Sequence, residues 1–153
     1  MFQVYLAGPC DSDHRTTMVS IAKILRYYGA LKVYCPFELK IPNAWDMTQE
    51  DWAREVFEHD VEAINSCDFM IMVSLGREST AGTNWEQGYA WALKKPIYVI
   101  QITDNPTSLM TYCGCSLFFG REQDLEAQVC NIIRHFFCDR DNERKVPCKT
   151  VLT

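Results

Sequence analysis

Residues 69–73, Phe-Met-Ile-Met-Val, make an unbroken apolar run with no polar residue to mark a solvent-facing side. Such a run fits a strand buried on both faces and is far too short for a membrane span. A strand of that kind needs cover above and below, and the flanking segments supply it. Ala53, Val56, Phe57, Val61 and Ile64 recur at helical spacing before it; after a loop at 75–82, a second helix is expected over 83–94. Upstream, 2–7 reads as a strand stopped by Gly8-Pro9, and Met18, Ile21, Ala22 and Leu25 make a helical stripe with Gly29 as its stop. Residues 31–35 read as another strand, followed by a mixed stretch at 36–48 that is broken by Pro42. Residues 96–100 and 117–119 complete the strands, and Leu125, Val129, Ile132, Ile133 and Phe136 mark the last helix.

Five strands alternating with helices predict an α/β fold: one doubly wound, five-stranded parallel sheet, flavodoxin-like, in a single domain over 1–138 with a polar tail at 139–153. The length of 153 residues suits one core. Ligands of such sheets bind beyond the carboxyl ends of the strands where the strand order reverses. With the first and third strands central, that crevice lies between the Gly8 loop and the 75–82 loop.

Charge and cysteine usage narrow the partners. Lys+Arg total 15 against 20 Asp+Glu, a formal charge of −5, so a basic nucleic-acid-binding face is not expected. The first residues lack the basic and long apolar regions of a signal peptide, and no membrane partner is expected. The 8 cysteines are scattered without a CxxC pair, which reads as reduced thiols of a cytoplasmic protein. His14, His59 and His135 have no ligand spacing, so neither metal nor cofactor is expected.

Two acids stand out. Asp60 lies on an otherwise apolar helical stripe, where burial raises a carboxyl pKa unless donors satisfy it. It is either a structural carboxylate near the sheet end or part of a site. Glu86 closes Thr83-Asn84-Trp85-Glu86, which fits a capping box, with Thr83 as cap and Glu86 reaching back to its amide. The same residue also stands at the crevice. Two acids facing one pocket can divide labour, one ionised and one protonated, as glycosidic chemistry requires. Ser79, Thr80, Gly82 and Thr83 offer hydroxyls and amides at a helix N-terminus, where an anion is favoured and where ordinary capping is equally served. Cys10 and Cys67 lie near strand ends without an identifiable base. Trp85, Tyr89 and Trp91 read as packing or interface residues.

The segment Gly82-Thr83-Asn84-Trp85-Glu86-Gln87-Gly88-Tyr89-Ala90, followed by Lys95-Pro96, resembles the signature of the nucleoside 2-deoxyribosyltransferase family. Tyr5-Leu6-Ala7-Gly8-Pro9 is similar to its first strand and substrate loop, Asp60 to its second carboxylate, and Ser108-Leu109-Met110 to the segment that a neighbouring subunit contributes. The resemblance implies that Glu86 is the nucleophile attacking an anomeric carbon, that Tyr5 orients it and that Asp60 protonates or holds the departing base. It also implies that Gly8, Pro9, Arg15, Ser79, Thr80, Gly82, Ser108 and Met110 bind substrate, a small nucleoside or nucleotide, in a homodimer or larger oligomer with shared sites.

Three positions bear on the branch of the family. Transferases usually carry Asp six residues before the nucleophile; here Thr80 stands there, as in nucleoside 5′-monophosphate N-glycosidases, where a carboxylate would repel phosphate. Ser108 matches their phosphate-contacting serine, and His59-Asp60 is similar to pyrimidine-nucleotide members. Against this, the first loop reads Pro9-Cys10-Asp11-Ser12 where phosphate-binding relatives often have Arg, with His14 and Arg15 a little further along. The expected reaction is hydrolysis of a nucleoside 5′-monophosphate. Deoxyribosyl transfer is the alternative, and a non-enzymatic nucleotide sensor is a second.

Overall fold

The structure, a computed structural model, describes residues 1–121 and 124–138; the expected polar tail at 139–153 lies outside them. Five strands, β1 (Gln3–Ala7), β2 (Lys32–Tyr34), β3 (Phe69–Ser74), β4 (Ile97–Gln101) and β5 (Leu117–Phe119), form one sheet in the order β2-β1-β3-β4-β5. Every pairing is parallel, and the order reverses between β1 and β3, as expected. The helices are α1 (Arg15–Gly29), α2 (Gln49–Ser66), α3 (Ala81–Ala92), the short α4 (Leu109–Cys113) and α5 (Leu125–Cys138). No helix among the described residues is long and apolar enough to cross a membrane.

All six residues of β3 are buried, and their alternation feeds two separate cores. On one face Phe69, Ile71 and Val73 join Val4 and Leu6 against Met18, Ile21 and Leu25 of α1 and Val129, Ile132 and Phe136 of α5. On the other, Met70 and Met72 join Tyr5 and Ala7 against Ala63 and Ile64 of α2 and Ala90 of α3. Each large aliphatic side chain so buried contributes about 1.5–3 kcal/mol of transfer free energy.

Three expectations need correction. Helix α1 retains Gly29 as its last residue, and Ala30 makes the left-handed exit at φ 47°. Helix α3 starts at Ala81, because Thr80 is the N-cap and its Oγ1 accepts the Thr83 amide at 3.3 Å. Thr83 is therefore buried in the first turn, and the capping box with Glu86 does not form. Finally, the stripe of α2 covers the core only over its second half. Its 18 residues span about 27 Å, against about 20 Å for a six-residue strand, so the helix overruns the sheet. Ala53 and Phe57 are exposed as a result, and Asp60 sits half-buried where the helix leaves the sheet edge.

Candidate active site

Register dictates the floor of the crevice. Tyr5 and Tyr34 are direct partners across β1 and β2, so their side chains leave the sheet on the same face. Their rings stack with centroids 5.4 Å apart and planes 21° from parallel. Tyr34 Oη donates a 2.7 Å hydrogen bond to Asp60 Oδ1. Tyr5 is fully buried, and its hydroxyl has no hydrogen-bond partner among the described residues. It lies close enough to the Glu86 carboxyl to favour the anion there without reaching hydrogen-bond geometry.

The two acids titrate apart. Burial, and after it the charge of Asp60, push the Glu86 carboxyl up to about 7, with the Tyr5 hydroxyl opposing. Burial also raises Asp60, but the Tyr34 hydrogen bond and His59 pull it back. Both phenols are held well above the ordinary tyrosine range, chiefly by burial, so they stay neutral donors. The Cys10 thiol is raised by burial and then by Glu86, Asp60 and Asp11, which places it on the same crevice. Tyr5, Asp60 and Glu86, drawn from three elements, are thus brought together.

The surrounding loops are specific about their residues. A Cβ on Gly8 would stand 2.8 Å from the end of the Met18 side chain and 3.0 Å from Val73, so a larger residue where the loop after β1 turns over the sheet would require Met18 to move. Pro9 beside it is buried, whereas Cys10 is exposed as a residue but turns its thiol inward, donating to the Gly8 carbonyl at 3.8 Å. Asp11 does not face outward as a free charge: its Oδ1 accepts from His14 Nδ1 at 2.8 Å and from the His14 amide at 3.1 Å. Arg15 is exposed, with its guanidinium 5.7 Å from the centre of the Phe37 ring. Ser79 Oγ is spent on the loop, accepting the Leu75 amide at 2.9 Å and sharing a bond with Ser74. Thr80 is exposed at the head of α3, and a Cβ on Gly82 would meet only open space. That helix end is accessible.

Ser108 and Met110 lie elsewhere. With Asn84, Gln87, Trp91 and Thr111 they line a groove of about 470 Å³ between α3 and α4, on a different flank of α3 from Glu86. Gln87 fixes this groove, its Nε2 donating to the carbonyls of Thr111 and Gly114, both at 3.0 Å. Trp85 is exposed and stacks on Tyr89, which in turn donates to Asn65 Oδ1 at 2.7 Å, linking α3 to α2. Among the described residues no group of three or more His, Cys, Asp or Glu is placed to hold a metal ion. Cys67 is buried against the Ile64 carbonyl, its thiol pushed up to about 11 by burial.

The family model described as nucleoside 2-deoxyribosyltransferase matches residues 4–131, which takes in every element that builds the crevice. The chain belongs to the nucleoside 2-deoxyribosyltransferase family. The 2-deoxyribosyltransferase of the psychrotolerant bacterium Bacillus psychrosaccharolyticus is similar in structure, with a TM-score of 0.67, 27% identity, and coverage of 82% of this chain and 95% of that one. The Clostridium botulinum CMP N-glycosidase BcmB shares the fold at a TM-score of 0.58 and 18% identity, over 86% of this chain and 98% of its own. An NADH:FMN oxidoreductase shares it at 0.56 and 14%, covering 99% and 95%. No curated protein matches in sequence. Within this deoxyribosyltransferase-family fold, the signature residues Lys95 and Gln87 have visible structural duties. Lys95 Nζ donates to the carbonyls of Asn65 and Cys67, at 2.8 and 2.7 Å, closing the end of the helix that carries Asp60.

Sequence reasoning missed Tyr34. Its signal was positional: it ends β2 on the same face as Tyr5, a relation visible only once the two strands are in register.

Proposed function

We propose that the protein cleaves the N-glycosidic bond of a nucleoside 5′-monophosphate through a glycosyl-enzyme on Glu86. The observation that carries this reading is the acid pair: two carboxyls in one crevice, with Glu86 pushed up to about 7 while a hydrogen bond holds Asp60 back. Between the Asp60 titration and that of Glu86 near 7 the pair carries one proton. A nucleophile must be bare and a departing base needs a proton, so moving that proton from Glu86 to Asp60 serves both. As a Glu86 oxygen bonds to C1′, the C1′–N bond breaks and its electron pair passes to the base nitrogen, which takes the proton from Asp60. Water then adds to C1′, gives a proton to Asp60 and breaks the ester, restoring Glu86. The Tyr5 hydroxyl, buried and without a partner among the described residues, is available to steady the Glu86 carboxylate.

Phosphate is the ligand that suits the head of α3. An accessible helix N-terminus offers amides, Gly82 leaves room, and Thr80 supplies a hydroxyl where a carboxylate would repel the anion. Ser108 and Met110 face away from Glu86 in their own chain, and Met110 is 79% exposed, which supports their serving a neighbouring subunit's site in a homodimer or larger oligomer. Deoxyribosyl transfer is the second reading, favoured by the 27% identical transferase and by Asp11 in the first loop. Chromatography of each nucleoside 5′-monophosphate alone, beside a deoxynucleoside with a second base, separates the two. Free base from monophosphate is expected; an exchanged nucleoside without monophosphate cleavage would overturn the proposal.

A further inference from the structure

Two phenols meet two acids in this crevice, and the reaction as written employs only one of the phenols. Tyr34 is not idle in the structure. Its hydroxyl makes the one hydrogen bond that Asp60 receives from a described residue, 2.7 Å to Oδ1, so Oδ2 is left for a ligand. Its ring is fixed in turn by stacking on Tyr5 and by the backbone register of β1 and β2. The clamp is therefore built from sheet geometry, which is stiffer than a loop.

We propose that Tyr34 is a positioning residue of this site: its hydroxyl holds the Asp60 carboxylate in place and, as a neutral donor, favours its ionised form. The inference rests on the reading of Asp60 and Glu86 given above. The groups that bear on Asp60 come from every surrounding element. They are Tyr34 of β2, Tyr5 of β1, Cys10 of the following loop, Glu86 of α3 and His59 of its own helix. Of these, Tyr34 is the one that donates a hydrogen bond to it. A neutral donor stabilises the carboxylate over the acid. Asp60 thereby becomes a stronger acid when the proton reaches it, and gives that proton up more readily to a departing base.

Tyr34→Phe removes the hydroxyl and keeps the stacked ring, and two measurements on the full chain test the clamp. Carbon-13 NMR of labelled Asp and Glu carboxyls, recorded without substrate, follows each acid through pH. The Asp60 midpoint is expected to rise by about one pH unit in the variant. Kinetics on whichever nucleoside 5′-monophosphate is cleaved fastest should show kcat/KM falling up to about tenfold at pH 5 and less at pH 7, because the acid limb moves upward. An unchanged Asp60 titration overturns the proposal, as does a loss of the same size at every pH, which is the mark of structural damage. A wild type that cleaves no nucleoside or nucleotide, with the Asp60 shift present, overturns the reaction and Tyr34's place in it; the titration still reports the clamp by itself.

Discussion

At the scale of single residues, Glu86 sets chemistry against stability. Its carboxyl titrates near 7 in the fold against 4.5 in an unperturbed chain, so between those values the folded protein binds more protons than the unfolded one. Stability therefore falls as pH rises from about 4.5 to 7 and stays lower above it. Glu86→Gln removes the charge: turnover should drop about a thousandfold or more, and melting at pH 8 should rise by several degrees, on the order of 1–3 kcal/mol. The gain should fade by pH 5, which paired thermal scans at the two pH values will check. The proposed one-proton reaction also fixes a sign for activity: kcat/KM should decline as pH climbs past about 7, when the pair loses its last proton. A profile that rises through that range would contradict it. Asp60 and Glu86 were legible because a carboxyl on an apolar stripe, or just beyond a buried strand, conflicts with its surroundings. Tyr34 was not, since a tyrosine in a strand satisfies every local preference.

Among the elements, α2 and α3 carry the acids, and their ends decide where those acids point. The end of α2 is closed by Lys95, whose ammonium serves two carbonyls at once. Lys95→Met keeps the aliphatic stem and loses both bonds, so a destabilisation of about 1.5–3 kcal/mol is expected in urea titration, with activity following. At the head of α3, Thr80→Asp retains a good N-cap and adds a negative charge where phosphate is proposed to bind. KM for the monophosphate should rise tenfold or more while the fold holds, a split that steady-state kinetics with a circular-dichroism check will reveal. The element types were readable from periodicity, but the start of α3 was not. Thr80 and Thr83 are both competent caps one turn apart, and only the observed Thr80–Thr83 amide bond selects the earlier one. Nor could the pattern of α2 show where the sheet beneath it runs out.

For the molecule as a whole, the parallel five-stranded sheet was readable from one doubly buried strand and the alternation around it, and the crevice followed once the first and third strands were taken as central. What covers the groove beside α3 did not, because the pattern of one chain carries no signal for the neighbour proposed to sit there. If Ser108 completes a neighbour's site, mixing inactive Glu86→Gln subunits with inactive Ser108→Arg subunits should restore activity in the mixed oligomer, and sedimentation should show a dimer or larger species. No recovery after subunit exchange would sink the shared site. The strand order also has a consequence in time. β1 is made before β3 yet lies inside the sheet, where Val4 to Ala7 pair with Phe69 to Met72 and Gln3 exchanges bonds at 2.7 and 2.8 Å with Asp68, just ahead of β3. Until β3 emerges, β1 has a bare apolar edge, the kind of long-range pairing that slows folding and invites association. Tyr5, Tyr34, Asp60 and Glu86 leave the ribosome in that order, so the proposed nucleophile is the last of the four to arrive.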